Sequence, residues 1–252
     1  MALRRFYVQA EELTDTGVLI RGDLFHHIRE VCRFQQGDQF EVLPGNQEAW
    51  LVQVEVQTNH ELSARVISKR ALPALEKPYL TIAVSVPKLP KVDWIVEKCV
   101  ELGVYEIKPF VSDYSFLRSV KEISSNRTQR WQKLIQGATQ QSGRGDLMRL
   151  GNVTTLEKLL QDFNLSANTG GLFPYEGEGQ MGLGEAIAEL KPKKLDHIWA
   201  FVGSEGGFSP REVALFAQNG LNPVSMGEQI LRVETACLAL ASVIKYEFGT
   251  LG

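Results

Sequence analysis

The most constraining feature of the chain is an apolar stretch that ends in a glycine-rich turn and is followed at once by a helix start. Residues 197–202 (HIWAFV) have the length and composition of a buried strand, and GSEGG follows at 203–207. Ser209 then matches an N-cap, Pro210 the first helical position and Glu212 the capping-box partner. Parallel α/β proteins bind ligands at such junctions, where backbone N–H groups are free. The stretch therefore predicts an α/β domain with a ligand site at this loop.

A second junction of the same kind follows further along the chain. PVSM at 223–226 predicts a short strand, Gly227 a turn, and an apolar helix begins near Glu234. Neither loop has the lysine of a P-loop or the G-x-G-x-x-G spacing of a dinucleotide fold. The two loops could close on one ligand, with Glu205, Arg232, Glu234 and Thr235 as nearby polar groups. Alternatively, their glycines only make tight connections.

The rest of the C-terminal part alternates between predicted strands and helices. Strands are predicted near residues 80–86, 106–111, 147–150 and 171–175, and helices over 91–102, 127–141 and 183–190, with a further helix capped by Thr154 and Glu157. Alternation of this kind is typical of a mostly parallel sheet that is covered on both faces.

The last helix, predicted over 234–248, is apolar nearly all round, so it lies either at the centre of the domain or in a subunit interface.

The N-terminal part has a different pattern, since short alternating or β-branched runs follow one another between turn residues. This pattern predicts a small β-barrel in which only residues 23–32 form a helix. Pro73 and Pro78 then mark a linker. We therefore expect two domains, a barrel over residues 1–72 and an α/β domain over residues 73–252.

Composition indicates the compartment in which the protein works. The sequence has neither a long apolar run nor a signal-peptide pattern, which predicts a soluble protein of the cytoplasm. Cys32, Cys99 and Cys237 lie far apart and form no Cys-x-x-Cys pair. They therefore predict buried thiols in a reducing compartment, with no structural metal.

Charge is distributed unevenly along the chain. The net charge is −3, but residues 114–149 carry seven Lys or Arg and two acidic residues, whereas residues 150–252 carry seven basic and twelve acidic residues. The middle of the chain could therefore attract a polyanion such as nucleic acid. Alternatively, these charges only solvate a helix face.

The two loop segments and four other blocks resemble a known family. FVGSEGGFSPRE at 201–212 and MGEQILRVETA at 226–236 look like the two C-terminal signatures of the bacterial 16S ribosomal RNA uridine-N3 methyltransferases, a branch of the SPOUT superfamily. The other blocks follow in the family's order: RRFYV at 4–8, HHIREVCRFQQGD at 26–38, KVDWIVEKCVELGVYEIKPF at 91–110 and RWQKLIQGATQQSGR at 130–144. Because the ordered blocks cover nearly the whole chain, they are far more specific than one glycine loop.

The resemblance implies a fold, a cofactor and partners. The implied fold is a SPOUT-type α/β knot, a deep trefoil, in the methyltransferase domain, preceded by a small PUA-like RNA-binding β-barrel. The implied cofactor is S-adenosylmethionine, and the implied substrate is 16S ribosomal RNA in the assembled small ribosomal subunit. A homodimer without membrane contact is also implied. Nothing in the periodicity of the sequence indicates a knot, which is a rare exception among protein topologies.

The resemblance places the cofactor in a cleft formed by the loops after three strands. The residues implied to bind it are Leu172, Phe173, Gly203, Ser204, Glu205, Gly206, Gly207, Met226, Gly227, Ile230, Leu231, Arg232, Glu234 and Thr235. Glycines allow a close approach of the backbone, and the apolar side chains of this set could form walls for an adenine ring.

Methyl transfer to uridine N3 requires the loss of the N3 proton, and therefore a base or a cation that stabilises the uracil anion. Arg232 is our first candidate for the cation, although it could instead pair with Glu205 or Glu234 and hold the loop. Glu205 is the candidate base, and binding of ribose hydroxyls or capping of the loop are its alternatives.

The residues implied to contact RNA lie in the barrel and in the 130–144 block. They are Arg4, Arg5, Arg29, Arg33, Gln140, Ser142 and Arg144. Three positions depart from the family pattern, which usually has Pro at Ser204, Glu at Gln140 and Arg at Gln229. Two alternatives to the implied activity remain: a non-catalytic RNA-binding or ribosome-assembly protein that has kept the fold, and a SPOUT methyltransferase that acts on another RNA.

Overall fold

The computed structural model describes residues 3–14, 16–177 and 181–251. The chain divides into two compact units, Met1–Ala74 with Gln136–Leu147, and Leu75–Ile135 with Met148–Gly252. The first unit thus includes a segment, 136–147, that lies inside the stretch which the sequence assigns to the second domain. The boundary between residues 72 and 73 stays a prediction.

The described part of the first unit is built on a five-stranded sheet with the strand order β1-β3-β4-β5-β2. Its strands are β1 (Arg5–Tyr7), β2 (Gly17–Arg21), β3 (Gln39–Leu43), β4 (Glu48–Gln57) and β5 (Glu61–Ala71). The pair β1–β3 is parallel and the other pairs are antiparallel. Alternate residues of the strands enter one apolar core, as the period-two pattern predicts.

A helix over residues 23–32 was expected in this unit, and the structure divides it in two. An α-helix, α1 (Gly22–His26), continues as a π-helical turn over His27–Val31. The buried side chains of Phe25 and Ile28 fix it to the sheet. Because a π-helical turn adds a residue per turn, it changes which side chains face the core, and the sequence pattern alone does not reveal it.

The second unit contains a parallel sheet in the order β11-β13-β10-β12-β6-β7-β8, with β9 also beside β7. Its described strands are β6 (Tyr79–Ser85), β7 (Glu106–Val111), β8 (Arg149–Leu150), β9 (Thr154–Thr155), β10 (Thr169–Pro174), β11 (Met181–Gly182), β12 (His197–Val202) and β13 (Pro223–Ser225). The further α-helices among the described residues are α2 (Leu89–Glu101), α3 (Ser125–Ser142), α4 (Leu156–Leu165), α5 (Leu183–Leu190), α6 (Pro210–Gln218) and α7 (Val233–Glu247), and the last residues of α3 belong to segment 136–147 of the first unit. The predicted parallel α/β architecture is therefore confirmed.

Strand order brings the two glycine loops together. Strand β10 pairs with β12 on one side and with β13 on the other, and both pairs are parallel. Parallel neighbours end at the same edge of a sheet. The loops that follow these three strands therefore meet at the carboxyl edge of the second unit.

The predicted helix starts are correct at α6 and wrong by one residue at α4. Ser209 Oγ accepts from the backbone N–H of Glu212 at 3.3 Å, and the Glu212 carboxylate accepts from the Ser209 N–H at 2.9 Å. At α4 the N-cap is Thr155, since Thr154 is part of β9 and pairs with β7. The partner of Glu157 is the guanidinium of Arg211, at 2.7 Å.

Candidate functional site

A cleft of about 990 Å³ lies at the carboxyl edge of the sheet in the second unit. Its walls are residues 174–177 after β10, residues 202–208 around the first glycine loop, and residues 224–233 with Ala236. Lys91 of α2 completes the lining. Clefts of this size at the ends of parallel strands are typical sites for a cofactor-sized ligand.

Close backbone packing determines which residues fit in the first glycine loop. A Cβ atom at Gly203 would lie 2.9 Å from the backbone of Gly207, so a side chain there has no room. Gly207 has φ +68° and donates its N–H to Ser204 O at 2.9 Å, which closes the turn. This is the left-handed conformation that favours glycine. At these two positions the loop therefore presents backbone to the cleft, whereas Glu205 presents its side chain.

The loop after β7 supports the glycine loop from outside. Ser204 is buried, and its hydroxyl donates to Tyr114 O at 2.6 Å. A Cβ atom at Gly206 would lie 2.8 Å from Cβ of Tyr114. The Asp113 N–H donates to the Glu212 carboxylate at 2.8 Å. Residues 112–116 thus act as a support that the sequence motifs do not reveal.

Lys91 joins the two sides of the cleft. Its Nζ lies 3.1 Å from Glu205 Oε1 in the glycine loop and 3.3 Å from Glu234 Oε2 in the first turn of α7. That oxygen of Glu234 is buried and has no aligned hydrogen-bond donor among the described residues. Lys91 therefore forms an ion pair with each of two carboxylates that belong to different elements.

The ion pairs change the acid–base properties of the cleft. Burial raises the pKa of Glu205, but hydrogen bonds from the backbone and from Lys91 outweigh it and hold the pKa below the usual range of a glutamate. Burial lowers the pKa of Lys91, and its contacts with Glu205 and Glu234 outweigh burial and raise it. At neutral pH, Lys91 is therefore a cation and Glu205 an anion.

The second loop supplies the other wall and an exposed cation. Gly227 has φ +108°, Ile230 is 79% exposed, and Arg232 is the N-cap residue of α7. Met226 and Leu231 line the cleft, while Thr235 lies in the first turn of the helix. Among the described residues Arg232 forms no salt bridge, and Lys91 pairs with both of the glutamates that the sequence offers to Arg232 as partners.

Two residues expected at the cofactor lie inside the sheet. Leu172 and Phe173 are buried in β10, and Phe173 stacks on Phe216 with ring centroids 4.2 Å apart. The cleft begins with the next residues, Pro174, Tyr175, Glu176 and Gly177. Leu172 and Phe173 therefore lie outside the lining of the cleft, contrary to the expectation from the resemblance.

The cleft suits a ligand that carries positive charge and needs close backbone contact. Its lining includes Glu176, Glu205 and Glu228 against Lys91 and Arg232, and Glu234 adds a further carboxylate beside Lys91. No atom lies within 4 Å of where a Cβ at Gly207 or Gly227 would stand, so both glycines border open space. S-adenosylmethionine, with its sulfonium cation, matches these properties in size and charge.

The arginines of the first unit differ in whether their guanidinium groups form ion pairs or are exposed to solvent. Arg5 pairs with Glu41 at 2.9 Å. Arg29 contacts Glu30 at 3.3 Å and borders a polar hollow of about 530 Å³ with Phe34, Gln57 and Asn59. Arg4 and Arg33 are exposed, and Arg33 has φ +57°.

The three other residues implied to bind RNA belong to the segment 136–147 of the first unit. The Gln140 side chain accepts from the Tyr7 N–H at 2.7 Å, and the Ser142 hydroxyl contacts Thr139 O at 3.4 Å. Arg144 is almost fully buried and pairs with Asp146 at 2.9 Å. The structure therefore gives Gln140 and Arg144 contacts within the unit.

Helix α7 buries one face and exposes an apolar stripe on the other. Val233, Cys237, Leu240 and Ile244 are buried, whereas Val243 and Tyr246 are 37% and 71% exposed. The sequence left two places open for this helix. The buried face packs on α2 and on strands β6 and β12. The predicted location at the centre of the domain therefore holds for this face. None of the described helices is long and apolar enough to span a membrane.

Sequence reasoning missed Lys91 and Tyr114 as members of the site. The sequence contains an indication for Lys91. A cation in the first turn of a helix interacts unfavourably with the helix dipole, so nearby carboxylates are expected to compensate for it. No such signal exists for Tyr114, because its backbone carbonyl makes the contact with Ser204.

Comparison with known proteins gives consistent matches over most of the chain. The family described as RNA methyltransferase domain matches residues 75–245, and the RNA methyltransferase PUA domain matches residues 20–67. A protein of Bacillus subtilis named ribosomal RNA small subunit methyltransferase E is 31% identical over 90% of this chain and 89% of its own length. One of the same name from Synechocystis is 29% identical over 95% and 76%.

Solved structures resemble the whole chain. A ribosomal RNA small subunit methyltransferase E from Neisseria gonorrhoeae, bound to S-adenosylmethionine, has a TM-score of 0.82 and 24% identity, over 97% of this chain and 98% of its own. A Legionella pneumophila protein in complex with S-adenosylmethionine has a TM-score of 0.84 and 21% identity, over 98% of each chain. At these identities the likeness demonstrates the fold.

Proposed function

We propose the following function for a chain that belongs to the ribosomal RNA small subunit methyltransferase E family: it methylates N3 of a specific uridine in 16S ribosomal RNA, with S-adenosylmethionine as the methyl donor. The fold expected from the resemblance, a SPOUT-type α/β-knot methyltransferase domain with a PUA-like domain before it, is confirmed. The observation that carries the proposal is the single cleft into which both glycine loops of the second unit open.

The residues of the cleft fit the cofactor in chemistry. S-adenosylmethionine supplies an electrophilic methyl group on a sulfonium. Gly207 and Gly227 border open space and allow the backbone to approach it, while Gly203 and Gly206 set the shape of the loop through close packing. Met226, Ile230 and Leu231 provide apolar contact for its adenine. Glu205 and Glu234 place negative charge at the cleft, which favours a cationic ligand.

Arg232 is the residue that we propose to stabilise the negative charge that develops on the uracil oxygens. It borders the cleft, it is exposed, and among the described residues it has no carboxylate partner. A guanidinium keeps its charge at any pH of interest and donates several hydrogen bonds. The guanidinium is therefore available to the substrate.

Glu205 suits a structural role better than that of a base. A general base works best when its pKa lies near the operating pH. Lys91 and the backbone instead hold the pKa of Glu205 low. We propose that Glu205 holds the glycine loop, and that Arg232 stabilises the uracil anion so that the N3 proton can pass to solvent water.

RNA contact is proposed for both the first unit and the basic middle of the chain. Arg4, Arg29 and Arg33 have exposed or part-exposed guanidinium groups that can bind phosphate. Arg5, Gln140 and Arg144 are better placed to hold the first unit together, and Ser142 stays a candidate contact. We further propose a homodimer in the cytoplasm that acts on the assembled small ribosomal subunit.

The function is tested in two steps. Calorimetric titration of the purified protein with S-adenosylmethionine is expected to show saturable binding near one site per chain, and ATP and NADH serve as controls. Incubation with small ribosomal subunits from a strain that lacks the modification is then expected to yield one N3-methylated uridine, detected by mass spectrometry. Absence of binding would favour a non-catalytic RNA-binding protein. Methylation of transfer RNA instead would favour another RNA as substrate.

A further inference from the structure

The contacts of Lys91 connect parts of the cleft that are far apart in the sequence. Lys91 lies in the first turn of α2, which is fixed in the core by the buried side chains of Val92, Ile95 and Val96. Glu205 belongs to the loop after β12, and Glu234 belongs to α7. The ammonium group is thus held by a rigid helix and reaches both walls of the cleft.

We propose that Lys91 is a positioning residue for the cofactor, because it ties the first glycine loop to the first turn of α7 through Glu205 and Glu234 and so keeps the cleft in its binding shape. This inference rests on the proposed function and deepens it. Lys91 contacts the two carboxylates and acts on the ligand through them.

Electrostatics give the physical reason for such a tie. Two carboxylates that approach the same point repel each other, and a cation between them replaces the repulsion with two attractions. The α2 dipole disfavours a cation in its first turn, so the position of Lys91 depends on the two glutamates. The α7 dipole, in contrast, favours Glu234 in its first turn, which anchors one end of the tie.

The inner part of the glycine loop has few contacts besides this tie: the Glu205 carboxylate accepts from the backbone of Glu205 and Lys88, and Gly206 packs against Tyr114. Glu205 and Gly206 are exposed, and the loop contains three glycines, which have the most backbone freedom to lose on ordering. Ser204 fixes the start of the loop through Tyr114, and Gly207 closes its end. Between these two residues, Lys91 supplies the side-chain contact that links Glu205 to the opposite wall of the cleft.

The first experiment removes the charge of Lys91 and keeps an unbranched apolar side chain of similar length. Lys91→Met is expected to lower the affinity for S-adenosylmethionine by about tenfold or more, a modest loss for truncating one partner of a charge pair. Lys91→Arg is expected to recover most of the affinity, because it restores the cation. Calorimetric titration measures both, and equal thermal unfolding midpoints verify that the variants fold.

A matched control exists on the same helix. Lys98 also contacts two glutamates, Glu97 and Glu101, both at 2.8 Å, and its side chain is 29% exposed against 27% for Lys91. It does not line the cleft. Lys98→Met is therefore expected to bind the cofactor like the unmodified protein. An equal loss in both variants would mean that a general effect on α2, and not the tie, explains the result.

The tie also predicts that the three residues act as one unit. In a protein that carries Glu205→Gln and Glu234→Gln, adding Lys91→Met is expected to change the affinity little further, since residues of one network are not additive. A full additional tenfold loss in that background would overturn the proposal. So would wild-type affinity of the single Lys91→Met variant.

Hydrogen exchange separates this inference from the proposed function. Without any ligand, the amides of residues 204–207 are expected to exchange faster in Lys91→Met than in the unmodified protein or in Lys98→Met. If the unmodified protein failed to bind S-adenosylmethionine, the proposed function would fail while this measurement would still decide on the tie. Unchanged amide exchange of residues 204–207 in Lys91→Met would overturn the proposal that Lys91 ties the glycine loop to α7.

Discussion

At the scale of single residues, the site depends on which charged groups find each other. The sequence offers Arg232, Glu205 and Glu234 close to the glycine loops, and it leaves open whether Arg232 stabilises the uracil anion or pairs with one of the glutamates. The structure instead pairs both glutamates with Lys91, and this leaves Arg232 exposed at the cleft. The assignment of roles among these residues therefore follows from one lysine that lies more than a hundred residues earlier in the chain.

Arg232→Ala is expected to lower the turnover number about 100-fold, as removal of one group that stabilises a developing anion typically does. The dissociation constant for S-adenosylmethionine is expected to stay within about threefold, because the backbone and apolar walls of the cleft remain. Single-turnover methylation of small subunits, together with calorimetry, separates the two effects. Arg232→Lys is expected to keep part of the activity. Full turnover in Arg232→Ala would remove this residue from the mechanism.

Gly206→Val is expected to abolish cofactor binding by displacing the loop. The reason is contact with Tyr114, whose Cβ lies 2.8 Å from the position of the new Cβ, and not a side chain that fills the cleft. Tyr114→Gly in the same protein, which removes that Cβ, is therefore expected to restore part of the binding, measured by calorimetry. The control is Gly184→Ala, at a helical position with free space, which is expected to bind normally. Failure of Tyr114→Gly to restore any binding would refute this explanation.

At the scale of elements, contacts between distant segments hold the loops and strands in place. The glycine loop follows β12, yet the loop after β7 supports it through Tyr114 and Asp113. In the first unit, Glu41 of β3 binds Arg5 of β1 and Arg70 of β5 at 2.9 Å each. Each of these contacts joins residues that are distant in the chain, and the hydrophobic periodicity of the sequence gives no information about such pairs.

Glu41 makes the first unit sensitive to acid. Hydrogen bonds from Arg70 outweigh the opposing effect of burial and, with Arg5, hold the pKa of Glu41 below its usual range. Since folding lowers this pKa, the stabilisation is complete above the usual glutamate value and is lost as the pH falls through the lowered one. Glu41→Gln is expected to reduce the free energy of unfolding by about 2 kcal/mol at pH 7.

The measurement for Glu41 is urea denaturation at neutral and at acidic pH. The difference between Glu41→Gln and the unmodified protein is expected to shrink as the pH falls below the carboxyl range. Glu61→Gln serves as control, because Glu61 has a single, exposed ion pair with Arg21, and such pairs contribute little. An unchanged difference at both pH values would contradict the role of Glu41.

At the scale of the whole molecule, we propose that the homodimer uses the exposed apolar residues of α7, Val243 and Tyr246. Val243→Glu is expected to convert the proposed homodimer into monomers, since it places a charge in an apolar contact. Analytical ultracentrifugation measures the state. Val56→Glu, at an exposed valine of the first unit, is expected to leave the dimer intact. A Val243→Glu variant that remains dimeric would place the interface elsewhere.

Local sequence determined much of this protein. The strand, the glycine turn and the capped helix at residues 197–218 could be predicted because their signals act over a few neighbouring residues. Two short motifs and the ordered blocks around them indicated the family and the loops of the site. Tertiary structure alone decided that β10 lies between β12 and β13, that Lys91 reaches two glutamates, and that Gln140 supports β1. These contacts join residues that are distant in the chain, and they form only when the whole unit is packed.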